Sequence, residues 1–365
     1  MRAPLVLLAV LAVMVAPVRA AAQTTSAGVT FDRYAFASPA ALDIESLALL
    51  SVRFGASVTA GRGFVFGLNG ALADASLVRE DGTEATVSGL TDTELSARYT
   101  TAGGGAALTA LVLLPTGGES LAYDEMFVAG AIAADVLPFA VRDFGTGGGA
   151  GASVALARPF GAFAAGVSVG YVVARQYEPL SAESFEYRPG DQLHVRVAVD
   201  RTIGRSAKVA LRADWLRYGD DEGNGANVFQ PGDRLQVIGS YDFAVGRSSA
   251  IAYAGWLRRG EGEYVAPPDI LSAQDLLLAG SGMRLSLGST VLVPSIDLRV
   301  LQSDGADRRG YTLGIGAALE GRVGAMAVQP DVRVRLGRVE VRDGEETGFT
   351  GVNVGLTIRF GEGVR

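Results

Sequence analysis

One histidine and no cysteine leave this chain few groups able to move protons or grip a metal near neutral pH. His194 lies six residues before Asp200, and a serine–histidine–aspartate group can be drawn around the two. No serine occupies the sharp strand-to-helix elbow that would activate it, so acyl transfer is not the expected chemistry. Gly145-Thr146-Gly147-Gly148-Gly149-Ala150-Gly151 resembles a phosphate-cradling loop in glycine content alone. The Lys-Ser/Thr that should follow is missing, as is a helix to supply a positive end, so the run reads as a loop hinge. Asp220-Asp221-Glu222, Glu261, Glu263, Glu345 and Glu346 lack the ligand spacing of a calcium loop and read as solvated loop. The expectation is a chain that is not an enzyme, with no catalytic residue, cofactor or metal.

The chemistry that remains is charge laid out with a period of two. Leu193, Val195, Val197 and Val199 alternate with His194, Arg196, Ala198 and Asp200. In a strand, successive side chains face opposite sides, so this segment has one apolar and one charged face. The pattern recurs 42 residues later: Tyr187-Arg188-Pro189-Gly190-Asp191-Gln192-Leu193 returns as Phe229-Gln230-Pro231-Gly232-Asp233-Arg234-Leu235. Asp200 returns as Asp242, and Gly204-Arg205-Ser206 as Gly246-Arg247-Ser248. Trp215 and Trp256 are only 41 apart, which marks a one-residue slip inside the repeat. Two strands, a tight turn and a longer loop fill such a unit, which is the hairpin of a transmembrane β-barrel.

Composition points the same way. Hydrophobic residues make up 48% of the chain, and mean hydropathy is +0.26, yet no apolar run after the first 22 residues could form a membrane helix. Glycine is abundant, with 49 residues, which suits tight turns and crowded strand contacts. Absent cysteine fits an oxidising envelope compartment. The net charge of -7 argues against a nucleic-acid partner. Residues 1–22 read as a secretory signal peptide: Arg2, an apolar Leu5–Val15, then Pro17 and Ala20-Ala21-Ala22. Residues 23–365 are expected to form one all-β domain, an antiparallel up-and-down barrel of about 14–16 strands.

Strands are expected near 28–37, 47–59, 62–78, 91–101, 105–115, 148–158, 161–175, 189–203, 207–218, 233–245, 249–258, 275–288, 291–302, 310–320, 325–338 and 349–360. Short turns at Ala60–Arg62, Arg158–Gly161, Ile203–Ser206, Gly246–Ser249, Leu287–Thr290 and Glu320–Gly324 alternate with longer polar stretches near 79–90, 176–188, 219–232, 259–273, 303–309 and 339–348. In bacterial outer-membrane barrels the short side is periplasmic, which puts both termini there. Residues 118–146, with the apolar run Met126–Val141, interrupt the rhythm and are expected to be a loop in the lumen or a cap.

The inward parity carries the candidate pore lining: Arg53, Arg98, His194, Arg196, Asp200, Arg212, Asp214, Arg234, Asp242, Asp297, Arg299, Asp331, Arg333, Arg335 and Arg359. Arg284, Glu94 and Glu320 share that parity. A water-filled passage screening solutes by charge is the favoured reading; cross-strand pairs that plug a narrow barrel are the other. Arginines outnumber carboxylates on this face, which predicts a weak preference for anions. Tyr99, Tyr171, Trp215, Tyr218, Tyr241, Tyr253, Tyr311 and Phe360 read as aromatic girdles at the membrane interfaces.

Gly89-Leu90-Thr91-Asp92-Thr93-Glu94-Leu95-Ser96-Ala97-Arg98-Tyr99, followed by an alternating strand to Leu113-Leu114-Pro115-Thr116-Gly117, resembles the outer-membrane barrels associated with phenol-degradation meta-pathways. The resemblance implies a transport-related protein akin to channels for hydrophobic compounds. The expected function is therefore passive transport of small, hydrophobic or aromatic solutes across the bacterial cell outer membrane. The alternative is a non-conducting structural or adhesion barrel that acts through its loops. Expected partners are outer-membrane lipids and lipopolysaccharide, a small-molecule solute, and the barrel-assembly machinery, which reads a terminal aromatic. Phe360 fits that last role, although Gly361–Arg365 follow it.

Overall fold

The computed structural model describes residues 23–204, 206–246, 248–265, 267–304, 309–342 and 345–361. The expected signal peptide and residues 362–365 lie outside them, as do parts of two turns and of three expected loops. In chain order the first strands are β1 (Gln23–Phe36), β2 (Ser46–Ala60), β3 (Phe64–Val78), β4 (Glu84–Leu90), β5 (Thr93–Thr100), β6 (Ala106–Leu114), β7 (Gly149–Phe160) and β8 (Phe163–Ala174). Then come β9 (Tyr187–Arg188), β10 (Gln192–Ile203), β11 (Ala207–Tyr218), β12 (Asp221–Gly223), β13 (Ala226–Gln230), β14 (Arg234–Val245) and β15 (Ser248–Arg259). The last are β16 (Gly262–Val265), β17 (Pro268–Leu271), β18 (Gln274–Leu287), β19 (Thr290–Ser303), β20 (Gly310–Val323), β21 (Met326–Arg342) and β22 (Glu345–Gly361). Two helices, α1 (Pro39–Leu42) and α2 (Tyr123–Ile132), lie in connections.

Seventeen strands form one antiparallel sheet, and β22 pairs with β1 to close it into a barrel without a free edge. Strands β4 and β5 both pair with β3, end to end, so they share one place and the ring has sixteen. The register offset between them falls at Thr91-Asp92, where the Thr91 N–H still donates to Ala71 O at 2.8 Å. That offset is a bulge, and Glu84–Leu90 of the expected loop 79–90 forms the upper half of a broken strand, with 79–83 as the turn. Strands β20, β21 and β22 also run several residues past their expected ends.

Register fixes which side chains face out. Phe31, Leu50, Leu68, Val154, Leu156, Val167, Val197, Leu211, Ile315, Val334 and Val354 are all exposed, and they share the outward parity of their strands. A continuous apolar band of this extent is incompatible with water and is what hydrocarbon requires. The one-residue slip of the repeat resolves in the turns. Ile203 pairs with Ala207 across three residues, whereas Val245 pairs with Ser248 across two. The shorter turn keeps Trp256, like Trp215, on the outer face. Each donates from Nε1 to an aspartate at the start of, or just before, the next wall strand, Trp215 to Asp233 at 3.2 Å and Trp256 to Asp275 at 2.7 Å. Tyr171 makes the matching bond to Asp191 at 2.9 Å. Two of the expected girdle residues are not in the girdle. Tyr253 pairs with Ser240, and Tyr218 with Gln192, on the inward parity, because a β-strand cannot turn one side chain out of sequence.

Candidate functional site: the lumen and its inserted loop

Each of the fifteen candidate lining residues lies on the inward parity of its strand. Several meet across or near the ladder. Arg196 and Arg212 both pair with Asp214, Lys208 with Asp200 at 2.6 Å, Arg333 with Asp297 at 2.7 Å, and Arg284 with Glu320. Arg335 lies 4.0 Å from Asp32, which accepts a 2.7 Å bond from Asn353. Arg53, Arg98, Arg234, Arg299, Arg359, Asp242 and Asp331 make no ion pair among the described residues. Long side chains recline on glycines across the ladder. Asp297 faces Gly314, Arg333 faces Gly316 and Asp331 faces Gly355, where any Cβ would come within 3.0 Å of the carboxylate or guanidinium group or of backbone. Around β7 and β8, by contrast, the inner face is small and uncharged: Gly151, Ser153, Ala155, Gly166, Ser168 and Gly170. On the β2–β6 side a cavity of about 400 Å³ is lined by Ser26, Ser57, Asn69, Glu94, Ser96, Arg98 and Thr109.

His194 bonds Gln192 Oε1 at 3.1 Å, while Asp200 is held by Lys208. His194 and Asp200 lie six positions apart on one strand, roughly 20 Å, so these two do not pair. Among the described residues, no cluster of His, Asp and Glu could hold a metal ion.

The segment 115–148 enters the barrel. Helix α2 packs against β3 and β4, with Val128 and Ile132 fully buried. Arg79 clamps it from the wall, 2.8 Å from Asp124 and over the Phe127 ring at 5.7 Å. Beyond the helix, Val136, Leu137, Phe139, Val141 and Phe144 join one buried cluster with Tyr34 and Phe36 of β1, Leu47 and Leu49 of β2, Leu77 of β3, Leu276 of β18, Leu301 of β19 and Phe349 of β22. Phe139 meets the edge of Tyr34 at 5.0 Å. The loop therefore crosses the lumen from the β3–β4 wall to the β15–β20 wall. Its far end is tied by polar bonds. Asp135 accepts from Arg142 at 2.7 Å and Arg259 at 3.1 Å, and Thr312 donates to Val136 O at 2.9 Å.

Both stalks of the loop are held by one carboxylate. Asp92, at the β4–β5 bulge, accepts from Gly117 N at 3.2 Å, Thr146 N and Oγ1 at 2.8 Å, and Gly148 N at 3.3 Å. The glycine run 145–151 is the hinge: Gly147 (φ 77°) and Gly148 (φ 81°) return the chain to β7 in a conformation that side chains resist. Asp92→Ala leaves several backbone donors without their partner and should loosen the stalks by about 1–2 kcal/mol. The expected result is faster proteolytic nicking within 118–146 with the heat-modifiable barrel intact. An unchanged nicking rate would show that burial alone holds the loop.

The long connections on the same rim form a second sheet, β9-β12-β13-β16-β17, that the polar sequence did not announce. Each repeated Pro-Gly-Asp brings a glycine onto another glycine. A Cβ on Gly190 would lie 2.0 Å from Gly219 O, and one on Gly232 2.2 Å from Gly260 O. Asp221, expected to be solvated, is buried. Its Oδ1 accepts from Gly190 N at 2.7 Å and its Oδ2 from the Tyr187 hydroxyl. Burial is the larger effect and raises its carboxyl above the usual range, although those two bonds oppose the shift. Burial likewise pushes Tyr177, in the same loop cluster, up to about 12. Sequence reasoning missed Asp92, Asp135, Arg142 and Arg259. Asp92 shares the inward parity of Glu94 and Arg98 in the expected strand 91–101, and Arg259 falls one residue past the expected end of its strand at 258.

No family model matches this chain, and no curated protein matches it. Among solved structures it is similar to a loop L8 deletion mutant of OmpT, an outer membrane protein of Vibrio cholerae, with 10% identity and a TM-score of 0.45, over 93% of this chain and 100% of that one. It is also similar to a double mutant of the Rh. blastica porin, with 14% identity and a TM-score of 0.41, over 93% and 100%.

Proposed function

We propose that the barrel lies in a bacterial outer membrane and conducts small solutes passively past the inserted loop. The observation that carries this is a closed ring of sixteen strand places with an apolar outer band, a charged inner face and one loop crossing the lumen. A ring of this size leaves more interior than its own side chains fill, and the loop narrows it. The uncharged wall of Gly151, Ser153, Gly166 and Gly170, across the ring from the arginines of β21, supports passage of solutes with an apolar side, including aromatic ones. Single-channel recording in a planar bilayer tests the reading: unitary steps are expected, and a tight, stepless barrel would overturn it. The five-stranded outer sheet favours a second reading, a non-conducting barrel whose loops are the working surface.

Most lumen charges cancel in pairs, so the fixed field is weak. Among the described residues the unpaired set is Arg53, Arg98, Arg234, Arg299 and Arg359 against Glu94, Asp242 and Asp331, while acidic loop residues are screened beyond about 8–10 Å at physiological salt. A modest anion preference is expected from reversal potentials in a salt gradient. Cation selectivity would mean that the acidic loops govern entry.

A further inference from the structure

Where the lumen meets the outer sheet, a cavity of about 200 Å³ is bounded by Gln192, Tyr218, Arg234 and Arg259 below and by Pro189, Pro231 and Phe229 above. Arg234 and Arg259 stand directly opposite each other on β14 and β15, like charges on facing positions, an arrangement that costs stability unless an anion lies between them. The Arg234 guanidinium rests over the Tyr218 ring at 5.7 Å and has no ion-pair partner among the described residues. Arg259 has one, Asp135, which it shares with Arg142, and its buried Nε has no hydrogen-bond partner. The acid that lines the cavity, Asp221, is already engaged by Gly190 and Tyr187. Gln192 is bonded to His194 through Oε1, which leaves its amide nitrogen as a donor. The cavity thus offers convergent donors with surplus positive charge on one side and proline and aromatic surfaces on the other.

We infer that this pocket is a binding site for a small carboxylate with a compact apolar body, held by Arg234 and Arg259 at its charged end and by Pro189, Pro231 and Phe229 at the other. Arginine forks match the two oxygens of a carboxylate, which a chloride ion or a neutral alcohol does not offer. The volume lies below the roughly 300–1,000 Å³ typical of drug-sized ligand sites, which limits the ligand to about one ring. The inference deepens the transport reading by naming a solute class, but binding itself does not depend on conduction.

Titration calorimetry of the full detergent-folded chain with benzoate, benzyl alcohol and chloride tests it. Saturable benzoate binding is expected, with benzyl alcohol and chloride at least about tenfold weaker. R234Q removes a guanidinium that leaves no carboxylate orphaned, and it should weaken benzoate by about tenfold or more without lowering the heat-modifiable transition. Equal binding of benzoate and benzyl alcohol, or benzoate affinity unchanged in R234Q, would overturn the site. Benzoate binding to a barrel that passes no current would retain the site and remove the channel. Unitary current without benzoate binding would do the reverse.

Discussion

Deleting residues 118–146 should raise single-channel conductance severalfold while the sixteen-place barrel still folds. The stalks already touch: a Cβ on Gly117 would lie 2.6 Å from Gly145 Cα, so excision leaves two ends that a short glycine–serine link can join. Every ladder pairing of β6 with β7 lies outside the deleted segment. What is lost is the cover over Tyr34, Leu47, Leu49, Leu77, Val87 and Phe349, all buried and all facing the lumen. Each such side chain loses up to about 1.5–3 kcal/mol of burial when water replaces the loop. The variant should therefore melt earlier on a heat-modifiability gel but still migrate as a folded barrel when unheated. A folded variant with unchanged conductance would mean that ions pass elsewhere than beside the loop.

Much of this architecture is legible in the sequence, for a physical reason. A barrel strand faces two solvents at once, so alternation such as Val332, Val334 and Leu336 against Asp331, Arg333 and Arg335 is written into each segment. The length of the insert and its apolar run also marked it as unusual. Which way it folded was not legible. Met126–Val141 is apolar enough for a cap as well as for a lumen, and the residues that decide are dispersed: Tyr34, Phe349, Leu276 and Leu301 come from four strands. Their inward apolar side chains are the seat of the loop. Asp92 was equally hidden, because its partners lie at 117, 146 and 148 and only the closed fold brings them together. Tyr218 and Tyr253 lie on the inward parity, where residue type alone does not tell a girdle aromatic from a lumen one. The outer sheet was missed because β9, β12 and β13 are each five residues or fewer, too short to show a period.

Replacing Asp135 with alanine should free the far end of the inserted loop and, in a conducting barrel, raise open-channel noise above that of the parent. The carboxylate is the shared acceptor for Arg142 and Arg259, and its own carbonyl receives Arg299 at 3.4 Å. Arg142 also holds Ala134 O at 3.0 Å, so the turn 134–136 hangs from three strands through this knot. Removing one partner of a buried ion pair costs about 3–5 kcal/mol, mostly because the other charge is left uncompensated. The arginine side chains here are 25% and 37% exposed, so water recovers part of that, and about 1–3 kcal/mol is the expected loss. Two guanidiniums would then face each other beside Arg234 with no acid between them, and the repulsion should push the loop tip away from β15. Open-channel noise should rise and mean conductance should increase, by less than in the deletion, because α2 stays on β3 and β4. Asp135→Ala combined with Arg259→Leu removes the repulsion and should recover much of the quiet state. If the single variant folds and conducts as quietly as the parent, the apolar contacts of Leu137 and Phe139 hold the loop unaided, and the polar knot serves only to neutralise charge.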